Sequence, residues 1–218
     1  MKTIFLTALI AITLVGCSSK KTPTWLIDSE SYIEKFKIAK LSRADKEANI
    51  YKQKASAAVK QSANIGLLQV IELTDAAMDI ATLKEANFTS YERLSKIEYN
   101  ASNEAYRQML TAGKPDISAL PPVYTDFAAS LSRNDAKKAF DDTKEIKNDI
   151  SRLIALGILA KLEPQKKEIY EDMLAISKSN GYKGVTIAAM SRLQAIYVKE
   201  GNKEGAAKML LVLEELKR

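Results

Sequence analysis

The sequence predicts an all-α fold built from antiparallel helical hairpins. Proline is absent from Thr24 to Lys114, a stretch rich in Ala, Lys, Glu, Ile and Leu, all good helix formers. The apolar residues recur at helical spacing in every long segment, and no alternating stretch between turn signals argues for a strand. Eight Gly and five Pro in 218 residues leave little turn material for a many-stranded β protein. With 46% apolar and 28% charged residues the composition is globular rather than disordered.

From the N-terminus, Lys2 forms a short positive region and Ile4 to Val15 is a run of apolar residues and Thr. The run has the length of a secretory-signal core and falls short of the roughly 20 residues that span a bilayer. It ends Leu14-Val15-Gly16-Cys17, followed by Ser18-Ser19-Lys20-Lys21. This resembles the lipobox of bacterial lipoproteins. The resemblance implies cleavage between Gly16 and Cys17 and a diacylglycerol on the Cys17 thiol. The chemistry suits the residues: a thiolate is the nucleophile, and a small residue before it admits the peptidase. The only cysteine of the chain stands at this place. Residues 1–16 are then a signal peptide and 17–24 a lipidated tether containing Pro23. Two or three acyl chains anchor a protein stably on a membrane without crossing it. Ser18, rather than Asp, resembles the outer-membrane type of these proteins and implies a body facing the periplasm. Loss of Lys2 takes the net charge from +6 to +5.

Residues 25–112 read as an N-terminal helical region. Ile33, Phe36, Leu41, Ala44 and Ala48 keep to one helical face, as do Leu67, Val70, Ile71, Thr74, Ala77 and Met78. Asp28 or Ser29, and Ser90, are expected helix caps. Residues 113–122, from Gly113 to Pro122, form the one clear break, either a linker between domains or a long loop. Residues 123–218 resume as helical hairpins. Leu153, Leu156, Leu159 and Ala160 keep the spacing, as do Met209, Leu210, Leu213 and Leu216, with Asn202 capping the last helix. Roughly eight helices are expected in all.

Within the C-terminal half, Met190, Leu193, Tyr197, Gly201, Ala206 and Leu210 follow one another at the spacing of a tetratricopeptide unit, and Ala195 to Ala206 resembles its inter-helix turn. The resemblance implies that Leu193, Tyr197, Gly201, Ala206 and Leu210 pack the two helices together. It departs at Gln194 and Leu213, where the family takes small residues. An upstream unit around Leu156-Gly157 and Met173 is degenerate, with Ile169 where a small residue is expected, and one across Tyr124 to Ile146 is weaker still. A plain pair of helical hairpins fits the same residues.

Composition excludes much chemistry. Without histidine there is no imidazole-assisted nucleophile and no histidine metal ligand, and one cysteine allows neither an intrachain disulfide nor a thiolate zinc cluster. No glycine-rich phosphate loop or nucleophile elbow occurs. The adjacent pairs Asp141-Asp142, Glu171-Asp172 and Glu214-Glu215 point about 100° apart on a helix and read as solvated charge. Asp75 and Asp79, with Glu72, share one face and are a conceivable cation patch; Asp45 and Glu47 form another acidic set. No metal and no cofactor is expected. Lys35, Lys37, Lys40, Arg43 and Lys46 crowd the first helix, as a solvated face or as a lean toward anionic headgroups. Lys183-Gly184 and Gly201-Asn202 read as helix stops. Trp25 suits the membrane interface or docking onto the body, and Tyr91, Tyr99 and Tyr106 suit a half-buried core or a peptide-binding surface. An exported chain meets no nucleic acid. The expected function is a non-enzymatic lipoprotein, held to the membrane through Cys17, that serves as an adaptor or assembly factor for a protein partner in an envelope complex. The alternative is a lipoprotein that binds a small molecule, glycan or lipid.

Overall fold

A computed structural model describes residues 22–217. The signal segment, Gly16, Cys17 and most of the tether lie outside the described residues. The described chain is all-helical: α1 (Thr24–Leu41), α2 (Asp45–Lys60), α3 (Ile65–Ala81), α4 (Thr89–Ser95), α5 (Ala101–Leu110), α6 (Thr125–Ser132), α7 (Ala136–Thr143), α8 (Asp149–Leu162), α9 (Lys167–Asn180), α10 (Lys183–Lys199) and α11 (Lys203–Lys217). The eight expected helices are thus eleven among the described residues. Two 3-10 turns, Ile117–Ala119 and Pro122–Tyr124, fill the proline-rich segment.

Side-chain caps start several of these helices. Asn64, Asn100, Asp135, Asn148 and Asn202 each accept the backbone N–H three residues on, at 2.8–3.0 Å. The Asn202 cap is the one the sequence foretold. Asp28, Ser29 and Ser90 instead lie inside helices, since α1 opens after Pro23 and α4 after Phe88. Ser29 donates back to the Leu26 carbonyl at 2.8 Å. Between α1 and α2 the chain breaks at Ser42–Ala44, within the expected run from Ile33 to Ala48. Arg43 takes the left-handed conformation with φ 64°. Ala63, Leu83, Ala112 and Asn134 end other helices in the same way. Glycine usually occupies this position, so the stops at Arg43, Ala63 and Leu83 carried no sequence signal, while Ala112 precedes the expected break at Gly113 and Asn134 is of a type that tolerates this conformation.

The helices pack as successive antiparallel neighbours: α1 with α2, α6 with α7, α8 with α9, α9 with α10, and α10 with α11. The α1–α2 hairpin lies on α3, which also carries α4 and α5. The centre is the crossing of α3 and α8. Every α8 residue from Leu153 to Ala160 is buried, as an apolar all-round helix requires. Gly157 lets the two backbones meet, because a Cβ there would stand 2.3 Å from the Ile80 carbonyl oxygen. A second close approach joins the two ends of the chain. A Cβ on Gly184 would stand 2.6 Å from the Leu41 carbonyl oxygen, and Gly184 lies in the first turn of α10 rather than at a helix stop. One hydrophobic core runs from Phe36 on α1 to Ile196 on α10 and includes Leu120, so it is continuous across residues 113–122.

Candidate functional site

The acidic face of α3 is a structural feature. Lys40 on α1 meets Asp75 at 2.6 Å and Asp79 at 3.1 Å. Lys52 on α2 meets Glu72 and Asp75, each at 2.7 Å. Glu72, Asp75 and Asp79 lie at i, i+3 and i+7, so α3 presents them together to the two helices above it. Burial opposes ionisation of Asp75, but the hydrogen bonds from Lys40 and Lys52 outweigh it and hold the carboxyl below its ordinary range. At Asp79 burial prevails over Lys40 and pushes the carboxyl up. Both ammonium groups are raised, their acidic partners overcoming the cost of burial. The conceivable cation patch is therefore already filled by lysine, and no cluster of three or more metal-ligating acids, histidines or cysteines occurs among the described residues. Lys40, expected on a solvated face, is part of this network.

The other acidic pairs divide in the same manner. Asp142 is buried, accepts the Ser130 hydroxyl at 2.6 Å and pairs with Lys138, closing α6 onto α7. Asp172 receives Arg152 at 2.7 Å across α8 and α9. Asp141 is exposed beside Lys144. Of the tyrosines, Tyr91 is buried and donates to Glu104 at 2.9 Å, while Tyr99 is 73% exposed. Tyr106 is half-buried, its ring 5.8 Å from that of Tyr124. Trp25 is half-buried in the first turn of α1.

At the α10–α11 hairpin the structure places the predicted packing residues in three ways. Leu193 is buried in the main core, with Tyr197 half-buried against it. Gly201, with φ 73°, ends α10 in the left-handed conformation, and Ala206 is buried. Leu210 does not pack between the helices: it is 46% exposed, and Leu213 takes the buried place instead. The α11 residues that face inward are Ala206, Met209, Leu213 and Leu216, the last three against Ile187, Met190 and Leu174. Of the periodic set Met209, Leu210, Leu213 and Leu216, three face inward and Leu210 alone is turned out.

The consequence is a surface that sequence reasoning missed. Met209 to Leu213 are five consecutive apolar residues, and one helix face cannot hold five in a row. Leu211, on the side opposite the inward line, is 68% exposed, and Val212 is 39% exposed. Val198, near the end of α10, is 59% exposed. The exposed Leu210, Leu211 and Val212 thus lie among the exposed charges of Glu204, Lys208, Glu214 and Glu215 on the outer side of α11. A separate pocket of about 150 Å³ lies where α3, α5 and α8 end, lined by Leu83, Phe88, Leu110, Ile158 and Tyr170, with Arg192 at its edge. No helix among the described residues is long and apolar enough to cross a membrane. Compared with protein-family models, curated proteins and solved structures, the chain matches none.

Proposed function

We propose that the chain is a lipoprotein anchored through acyl chains on Cys17, facing the periplasm from the outer membrane, and acting without enzymatic chemistry as a protein–protein adaptor or assembly factor in an envelope complex. The observation that carries the adaptor part is the uncovered apolar run on α11. Exposed contiguous apolar side chains rimmed by charge mark interaction surfaces, and Lys208 and Glu214 border this one. The non-enzymatic part is supported by the lack of histidine and by the lysines that neutralise the acidic face of α3. The anchor rests on the residues around Cys17. The pocket beside α8 favours the second reading, a ligand-binding lipoprotein. It holds about 150 Å³ and mixes an apolar lining with the charges of Lys84, Glu85, Lys161 and Arg192.

The test is crosslinking of the tagged, lipidated chain in whole cells, followed by mass spectrometry. The wild-type chain should capture an envelope protein stoichiometrically. Leu210→Glu/Leu211→Glu should lose it while keeping its melting temperature, because both side chains are already exposed. An identical crosslinking pattern for the variant would remove α11 from the function.

A further inference from the structure

We propose that the cavity where α3, α5 and α8 end binds a small organic carboxylate, its apolar body inside and its anionic head on Arg192 at the rim. The proposal deepens the second, ligand-binding reading and rests on it. The cavity holds about 150 Å³ and reaches Ile80 and Gly157, where α3 and α8 cross. A pocket for a drug-sized ligand measures roughly 300–1,000 Å³. This one therefore takes the body of a small molecule, a single ring or a short branched chain. Phe88 and Leu110 give it apolar walls, and the short side chain of Ala86 leaves room beside them. Tyr170 adds its ring, with the hydroxyl committed to the Pro164 carbonyl at 3.1 Å.

The charges at the rim set the ligand class. Lys84, Lys161 and Arg192 stand there against a single acid, Glu85, which Lys161 engages at 3.5 Å. Lys161 sits in the last turn of α8 and Lys84 just beyond α3, where a cation complements the exposed carbonyls of a helix end. Lys84 also favours ionisation of Asp79. Arg192 has no such use. It lies in the middle of α10, and its side chain makes no hydrogen bond or ion pair among the described residues. The residues three and four places from it are Ala188, Ala189, Ala195 and Ile196, so its own helix offers no acid. Burial pushes the Tyr170 hydroxyl up and Arg192 pulls the other way, so the guanidinium lies within electrostatic reach of the cavity wall. A guanidinium presents a planar fork of donors that fits a carboxylate with two parallel hydrogen bonds. An anion whose body fills the cavity meets that fork at the mouth, with Lys84 as a second positive charge. A cation of the same shape meets like charge, and selectivity is this difference.

The experiment is amide NMR on the chain from residue 17 carrying Cys17→Ser. Benzoate and isovalerate are the carboxylate probes; benzyl alcohol and benzylamine are the uncharged and cationic counterparts of the same ring. Benzoate should give saturable shifts at Leu83, Ala112 and Ile158, with a dissociation constant on the order of 1 mM for a ligand of its size. Benzyl alcohol should bind about tenfold more weakly, and benzylamine should not saturate. Arg192→Gln should weaken benzoate about tenfold and leave benzyl alcohol unmoved, and Arg192→Lys should restore part of the loss. Arg192 is exposed, so both variants should keep the wild-type melting temperature. Ala86→Leu should narrow the cavity and weaken every ring. Equal affinity for benzoate and benzyl alcohol would overturn the carboxylate assignment, as would an Arg192→Gln chain that binds benzoate like wild type. So would the lack of saturable shifts from either carboxylate about twentyfold above the expected constant. Native mass spectrometry of the lipidated chain, released from its own membranes, tests the ligand-binding reading separately. A bound small molecule there keeps that reading if the carboxylates fail; an empty chain together with failed probes removes both.

Discussion

Asp75 shows how the charge pattern on α3 is resolved at the level of single residues. It accepts Lys40 and Lys52 from two different helices, and its carboxyl is held below the ordinary range. A carboxyl with a depressed folded value stabilises the fold above its unfolded value, and that contribution is lost as pH falls through the folded value. Asp79 carries the opposite sign: burial makes its ionisation costlier in the fold than in the unfolded chain, and protonation relieves that cost as pH falls through the folded value. Asp75→Asn should therefore lower stability at pH 7 by about 1–2 kcal/mol, through loss of charged hydrogen bonds. Asp79→Asn should cost less. Urea midpoints measured from pH 7 to pH 3 check both. The Asp75→Asn deficit should shrink as the pH drops below the ordinary carboxylate range, and a deficit of constant size would contradict the assignment. In the sequence, Glu72, Asp75 and Asp79 were visible as a shared face, but their partners lie 35 and 23 positions from Asp75 and carried no local mark.

At the scale of elements, the crossing of α3 and α8 sets the spacing of the core. Gly157→Ala would push a methyl group into the Ile80 carbonyl, where backbone rather than a movable side chain has to yield. We expect a loss of about 1–3 kcal/mol, the usual cost of overpacking, read as a lower urea midpoint with unchanged helical content. A midpoint equal to wild type would show that the crossing can open without cost. The sequence showed Leu156-Gly157 only as part of a degenerate repeat unit; in the fold the glycine meets Ile80 of α3, far away in the chain. Helix type was legible because the apolar spacing of Leu153 to Ala160 and of Leu67 to Met78 is set by burial on helices. Helix boundaries were less legible. Arg43, Ala63 and Leu83 adopt a conformation that such side chains seldom announce, and so the roughly eight expected helices became eleven among the described residues. The α11 surface was hidden for a different reason. Met209, Leu210, Leu213 and Leu216 satisfy a helical pattern, and only the packing reveals that Leu210 is on the outside.

At the scale of the whole molecule, the described residues share one main core from α1 to α10, with α11 closing its end. The proposed signal peptide, residues 1–16, and the proposed anchor Cys17 lie outside the described residues. Cys17→Ser should leave helical content and melting temperature unchanged while moving the chain from the membrane pellet to the soluble fraction. Fractionation with a high-salt wash decides this. If the Cys17→Ser chain still pelleted and resisted the wash, attachment would come from the protein surface and the anchor assignment would fall.

The close approach of Gly184 to Leu41 acquires a mechanical meaning on this reading. α1 begins at Thr24, seven residues after the proposed anchor Cys17, and is wedged at its far end against the first turn of α10, backbone to backbone. A tug on the lipid would travel along a helix of 18 residues, about 27 Å, and arrive at the hairpin that carries the docking face. The anchor would then act less as a leash than as a handle, with tension at the membrane and grip at α11 borne by one continuous strut.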